Sequence, residues 1–177
     1  MPVQIAPHSH RPDGPTVAGV GGGVGTTTVA VAIGGTDRGV FTGRPVDVLV
    51  CRSTADSVIR AGRAAQLIGT VGPRPVLAVT AVDGARPARA LIARLRLLEP
   101  HAAAVVLLPH VGLWRAYASP LVTVRQILER PMAEMPRAAR GYAQAIGELT
   151  GALAAGPKEI LRTAPRPAST IRREASP

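Results

Sequence analysis

A cluster of glycines followed by threonines is the strongest chemical signal in this chain. Residues 16–33 read TVAGVGGGVGTTTVAVAI, so a β-branched stretch leads into glycines and then into three threonines that open an apolar stretch. Glycine lets a backbone wrap an anion with its N–H groups, and a helix N-terminus adds partial positive charge. We therefore predict a phosphate- or nucleotide-binding loop made of Gly21, Gly22, Gly23, Val24, Gly25, Thr26, Thr27 and Thr28.

Short apolar runs are predicted as the strands that position this loop. Residues 16–20, 45–51, 75–82 and 102–108 are apolar at successive positions, which is typical of strands covered on both faces of a parallel sheet. Segments whose apolar residues recur at helical spacing lie between the later runs. The first begins at Ser53-Thr54, and the second stops at Glu99-Pro100. After the fourth run only helices follow, in residues 121–130 and 136–156. The pattern predicts a small three-layer α/β domain with a mostly parallel sheet and C-terminal helices.

Length and composition limit the number of domains, the disulfides and the compartment that we expect. The chain has 177 residues and a net charge of +10, and Lys158 is its only lysine among 21 basic residues. We expect one domain at residues 16–156, a disordered tail at 1–15 and a basic disordered tail at 157–177. The one cysteine, Cys51, is predicted as a core residue and excludes an internal disulfide. No signal peptide or membrane span is predicted, which favours the cytoplasm.

The glycine loop resembles the deviant Walker A motif of the ParA/MinD-like P-loop ATPases, which reads approximately Gly-Lys-Gly-Gly-Val-Gly-Lys-Thr-Thr. Residues 22–25 and both Thr27 and Thr28 match this pattern, whereas Gly21 replaces the signature lysine and Thr26 replaces the Walker lysine. The resemblance extends weakly over residues 16–155. It implies a truncated P-loop NTPase-like fold, ATP or ADP as a weakly held ligand, and contact of Thr27 with Mg²⁺ if that ion is bound.

The departures from the motif argue against catalysis. Phosphoryl transfer depends on positioned cations, and losing one costs roughly a thousandfold or more in rate. On one alignment the family's central segment, which carries its Walker B aspartate, is missing. On a second alignment the strand at 46–51 takes the Walker B place and Arg52 stands where the acid belongs. The nearby Asp37 is predicted in a turn between glycines. We expect a non-catalytic accessory or regulatory protein. Two interpretations of the loop stay open, namely weak phosphate binding and an empty structural turn.

A second hypothesis follows from charge. Residues 16–156 keep a net charge of +7 out of the total of +10, and arginines recur along two predicted helices. A basic surface of this kind binds the DNA backbone without reading sequence. The predicted contacts are Arg60, Arg63, Arg89 and Arg96. A protein partner or a homodimer also stays open, since the alanine-rich final helices can pack within one chain or between chains.

Overall fold

The computed structural model describes residues 14–156 and has an α/β fold with one five-stranded, all-parallel sheet. The strands are β1 (Thr16–Gly19), β2 (Thr36–Val40), β3 (Val48–Arg52), β4 (Val76–Thr80) and β5 (Ala104–Leu108). The helices are α1 (Thr26–Ile33), α2 (Ala55–Val71), α3 (Arg89–Leu98), α4 (Pro120–Leu128) and α5 (Arg137–Ala154). The three-layer prediction is confirmed. Most of the N-terminal tail predicted at 1–15, and all of that at 157–177, lie outside the described residues.

Alternate side chains of the sheet build two separate cores. On one face, Val17, Val48, Val50 and their neighbours pack against α1 and α5. On the other face, Leu49 and Cys51 pack against α2 and α3. Because both faces are covered, successive strand residues must be apolar, which explains the continuous apolar runs in the sequence.

The edge strand β2 corrects the prediction of four strands. Residues 36–40 read TDRGV, and all but the first are exposed, so this strand lacks the apolar run that marks the others. It pairs only with β1, with Thr16 opposite Thr36. The prediction that Asp37 lies in a turn is therefore wrong. An edge strand that buries little surface tolerates charge and glycine, so its composition resembles that of a loop.

The ends of the helices follow local signals. The Thr54 side chain accepts a hydrogen bond from the Ser57 backbone N–H at the start of α2, as the Ser53-Thr54 pair predicts. Helix α4 ends shortly before Pro131, and α5 begins directly after Pro136. Within residues 14–156, no helix combines the length and apolar character needed to cross a membrane.

The strand order β2-β1-β3-β4-β5 creates a switch point between β1 and β3. The chain leaves β1 through α1 on one face and reaches β2, whereas it leaves β3 through α2 on the other face and reaches β4. The connections therefore diverge at the carboxyl ends of these two strands. In doubly wound sheets this divergence opens the crevice in which ligands bind.

Candidate functional site

Two side chains from neighbouring strands hold the glycine loop, residues 20–25, by its carbonyl oxygens. Arg52, the last residue of β3, donates from Nε and Nη2 to the Gly23 oxygen at 3.1 and 2.6 Å. The Thr80 hydroxyl, at the end of β4, lies 2.9 Å from the Val24 oxygen and 3.1 Å from the Cys51 oxygen. The loop is thus tied to the two strands on the far side of the switch point.

The glycines of the loop are required by the fold at some positions only. Gly23 and Gly25 have φ angles of +68° and +92°, a region that L side chains rarely adopt. A methyl group on Gly19 would lie 2.6 Å from Val24 Cγ2 and would also collide with Thr26 Oγ1. Gly22 differs, because its φ is not positive and a methyl group there would meet nothing within 4 Å. The fold therefore gives no reason for glycine at position 22.

The three threonines that begin α1 have different surroundings. Thr26 places its hydroxyl over Gly19 at the end of β1. The Thr27 hydroxyl donates to Asp37 Oδ2 at 2.6 Å, and the other carboxylate oxygen accepts the Gly39 backbone N–H at 2.7 Å. Thr28 faces the cleft described next. Helix α1 has no side-chain cap at Gly25, so its first backbone N–H groups remain available to a ligand.

The glycine loop forms one wall of a cleft of about 300 Å³, which we call the switch-point cleft. The first turn of α1, the end of β3, the ends of β4 and β5 with the segments that follow them, and Tyr142 on α5 form its other walls. Its polar side chains are Thr28, Arg52, Thr80, His110, Arg115 and Tyr142. The lining contains two guanidinium groups and no carboxylate, so the cleft favours a negatively charged ligand.

Arg52 is positioned to act on such a ligand. A guanidinium has five N–H donors, and Arg52 uses two of them on the Gly23 oxygen. Its side chain is exposed, and within residues 14–156 it forms no ion pair. The remaining donors therefore stay free for an anion. Two other exposed arginines, Arg38 and Arg44, line a separate groove of about 710 Å³ beside β2.

The four arginines predicted to contact DNA are all exposed. Arg60 and Arg63 lie on α2, and Arg89 and Arg96 lie on α3, which packs beside α2. Arg60 differs from the others because its Nε lies 3.0 Å from Asp56 Oδ2 in an exposed ion pair. Its Nη1 would also lie 3.9 Å from a methyl group on Gly21. Arg60 thus stands at the outer side of the glycine loop.

Sequence reasoning missed two residues of the cleft, Arg115 and Tyr142. They follow β5 by different distances along the chain, Arg115 in the short 3-10 turn Gly112–Ala116 and Tyr142 on α5. Tyr142 belongs to the apolar face of α5 and is buried in the core, so helical spacing alone marks it as a packing residue. The signal that could have found Arg115 is its place shortly after the carboxyl end of a parallel strand.

The residues of the cleft fit an anion better than a catalytic nucleotide and metal pair. Within residues 14–156 there is no lysine and no cluster of three acidic, histidine or cysteine side chains suited to a metal ion. Comparisons with protein-family models, with curated proteins and with solved structures find no match. The proposals below therefore rest on the residues and geometry of this chain.

Proposed function

We propose that this chain is a non-catalytic ParA/MinD-like P-loop protein, an accessory or regulatory factor that holds a phosphate group in the switch-point cleft. One observation carries the proposal. The glycine loop, the uncapped start of α1 and the free donors of Arg52 line the same acid-free cleft. Backbone N–H groups, a helix N-terminus and guanidinium groups are the donors that bind phosphate in proteins.

The same residues support binding without turnover. Catalysis of phosphoryl transfer needs cations that follow the charge developing on the transferred group. Gly21 and Thr26 supply no cation, and the Thr27 hydroxyl is already donated to Asp37. Arg52 is held on the Gly23 oxygen, so it can neutralise a resting anion but has replaced neither lysine of the motif. A phosphate-release assay that detects turnover abolished by Thr27→Ala would contradict this part of the proposal.

Calorimetric titration tests the binding. We expect inorganic phosphate, ADP or ATP to release heat on binding the full chain, with or without Mg²⁺. Arg52→Gln should weaken binding at least about tenfold, because a hydrogen bond to a charged group contributes about 1.5–3 kcal/mol and about 1.4 kcal/mol is a factor of ten in affinity. Arg63→Gln is the matched control, since Arg63 is an exposed arginine that does not line the cleft.

Two outcomes would overturn the proposal. One is heat indistinguishable from buffer for all three ligands at millimolar concentration. The other is equal affinity of the wild-type chain and the Arg52→Gln variant, because the anion would then lie elsewhere. A loss of affinity in Arg63→Gln equal to that in Arg52→Gln would assign the effect to net charge rather than to this cleft.

A second candidate function, backbone binding of DNA, is favoured by the exposed arginines of α2 and α3. Helices α2 and α3 lie side by side, and Arg63, Arg89 and Arg96 have no ion-pair partner among the described residues. Unpaired guanidinium groups on adjacent helices suit a row of phosphates. The two functions are compatible, because Arg60 lies between this surface and the glycine loop.

A further inference from the structure

Tyr142 is an unexplained polar group in the wall of the switch-point cleft. Only 4% of its surface is exposed, and its hydroxyl has no hydrogen-bond partner among the described residues. Burial raises the pKa of this phenol, so the group is a neutral hydroxyl that can donate or accept. Buried tyrosine hydroxyls ordinarily find a partner, since leaving one unpaired costs stability.

Trp114 stands next to this hydroxyl-bearing ring. The two ring centroids lie 5.8 Å apart with an angle of 80° between the planes, an edge-to-face arrangement. Both rings line the same cleft as Arg52 and the glycine loop. One cleft is therefore lined by anion-binding groups and by two aromatic side chains, one of which carries a buried, unsatisfied hydroxyl.

The cleft is of a size for a small molecule. Its volume of about 300 Å³ is at the lower end of the range for small-molecule sites. An inorganic phosphate held by Arg52 has no organic part to pack on Trp114 and Tyr142. A DNA duplex would be too wide to enter and reach a buried hydroxyl. A small ester of phosphoric acid with a polar organic part offers a phosphate to Arg52 and a hydrogen-bonding group to the Tyr142 hydroxyl.

We propose that the switch-point cleft binds a small phosphate monoester, with the phosphate at Arg52 and the glycine loop, and with a hydrogen-bonding organic part at Tyr142 and Trp114. This inference rests on the proposed phosphate binding and adds the chemical class of the ligand. Tyr142 is its specificity-determining residue. The unpaired hydroxyl is then a stability cost in the empty protein that the ligand removes.

The test titrates the full chain with four probes, namely inorganic phosphate, phenyl phosphate, ribose 5-phosphate and AMP. At least one of the two polar esters should bind at least tenfold more tightly than inorganic phosphate. Tyr142→Phe should lower the affinity for that ester about tenfold. The affinities for inorganic phosphate and phenyl phosphate should stay within twofold, because neither of these two probes offers an organic polar group to the hydroxyl. Trp114 is the only tryptophan of the chain, so its fluorescence should change with the esters.

Tyr117→Phe is the matched control, because Tyr117 is the only other tyrosine and is 39% exposed. It should change no affinity. Without ligand, the thermal midpoint of Tyr142→Phe should not fall, since the lost hydroxyl has no partner. A lower midpoint would indicate a structural role and overturn the inference.

The failures of the two proposals are distinguishable. If none of the four probes binds, the proposed phosphate binding fails and this inference fails with it. If inorganic phosphate binds and is weakened by Arg52→Gln, but neither polar ester binds more tightly, only the inference fails. Equal weakening of all probes by Tyr142→Phe also overturns it, because the effect would then not depend on the organic part.

Discussion

Arg52 and Thr80 hold the glycine loop through carbonyl oxygens, and this arrangement decides what the loop offers to a ligand. Both side chains come from strands that lie beyond the switch point, so each is distant from the loop in sequence. Because Arg52 is anchored at Gly23, its position is fixed before any ligand arrives. A preorganised cation binds an anion at a lower entropic cost than a mobile one.

Cys51, one residue before Arg52, is predicted to be unreactive in the folded chain. Burial raises the pKa of its thiol from 9.0 to about 12, so the thiolate that reacts with electrophiles is scarce below that pH. At pH 8 a thiol reagent should label the native chain far more slowly than the chain in denaturant. Fast labelling of the native chain would show that the β3 strand opens readily.

The same shift predicts a pH dependence of stability. The unfolded thiol releases its proton above about pH 9 and the folded thiol only near pH 12, so the folded state binds more protons in between. Its contribution to stability is complete below pH 9 and is lost as the pH rises toward 12. The free energy of unfolding should therefore fall over this window, and more steeply than in Cys51→Ala. Tyr142 is present in both proteins, so its titration cancels in the comparison. If the free energy of unfolding fell with pH equally steeply in the wild-type chain and in Cys51→Ala, the prediction would be contradicted.

At the scale of elements, the strand-loop-helix unit β1-loop-α1 combines structural glycines with glycines that the fold does not require, of which Gly22 has the most open surroundings. Gly23 and Gly25 turn the chain through positive φ angles, and Gly19 leaves room for Thr26 and Val24. Gly22 meets none of these needs. A glycine with open space and no strained φ is consistent with close approach of a ligand to the backbone.

Alanine substitutions separate these two roles. Gly25→Ala should destabilise the fold by about 1–2 kcal/mol, because a Cβ is strained at positive φ. Gly22→Ala should leave the free energy of unfolding unchanged or raise it by up to about 1 kcal/mol, since the unfolded chain loses freedom. Gly22 adjoins the loop residues that line the switch-point cleft but does not line it itself, so phosphate affinity should fall in Gly22→Ala where a bound anion approaches the backbone of residue 22. Chemical denaturation and calorimetry on both variants check this, and unchanged affinity in Gly22→Ala would show that the bound phosphate does not approach residue 22.

Element prediction succeeded where burial imposes a pattern. Strands β1, β3, β4 and β5 lie between two helical layers and must be apolar, so their existence follows from sequence. Strand β2 lies at the edge with four of its five residues exposed, and nothing in its burial demands an apolar run. It was missed for that reason, and with it the contact between Asp37 and Thr27.

At the scale of the whole molecule, the basic charge on which the two proposals rest is divided between the switch-point cleft and the helices α2 and α3. The switch-point cleft contains Arg52 and Arg115, whereas Arg60, Arg63, Arg89 and Arg96 lie on α2 and α3. Composition alone cannot separate these groups, because arginine supplies nearly all of the basic residues. Their placement on different elements makes the two proposed functions separately testable.

The salt dependence of DNA affinity tests the second function. Each phosphate contact contributes about 0.9 to the slope of log affinity against log salt on duplex DNA. Four arginines are predicted to contact phosphates, namely Arg60, Arg63, Arg89 and Arg96. Replacing all four with glutamine should therefore make the slope shallower by up to about 3.6. The matched control replaces the exposed arginines 38, 44, 130 and 137, which removes the same charge elsewhere. Equal slopes for the two variants would contradict a localised DNA surface.

The sequence by itself determined the α/β class, the apolar strands, the helix starts at Thr54 and Pro136, and the glycine loop between a strand and a helix. These features depend on local backbone preferences and on a burial pattern that repeats along the chain. Tertiary structure alone decided the switch point between β1 and β3, the anchoring of the loop by Arg52, and the meeting of Arg115 and Tyr142 in one cleft. These features depend on strand order. It brings together residues from β3 to α5 that are far apart in the chain, so no local spacing in the sequence predicts that they meet.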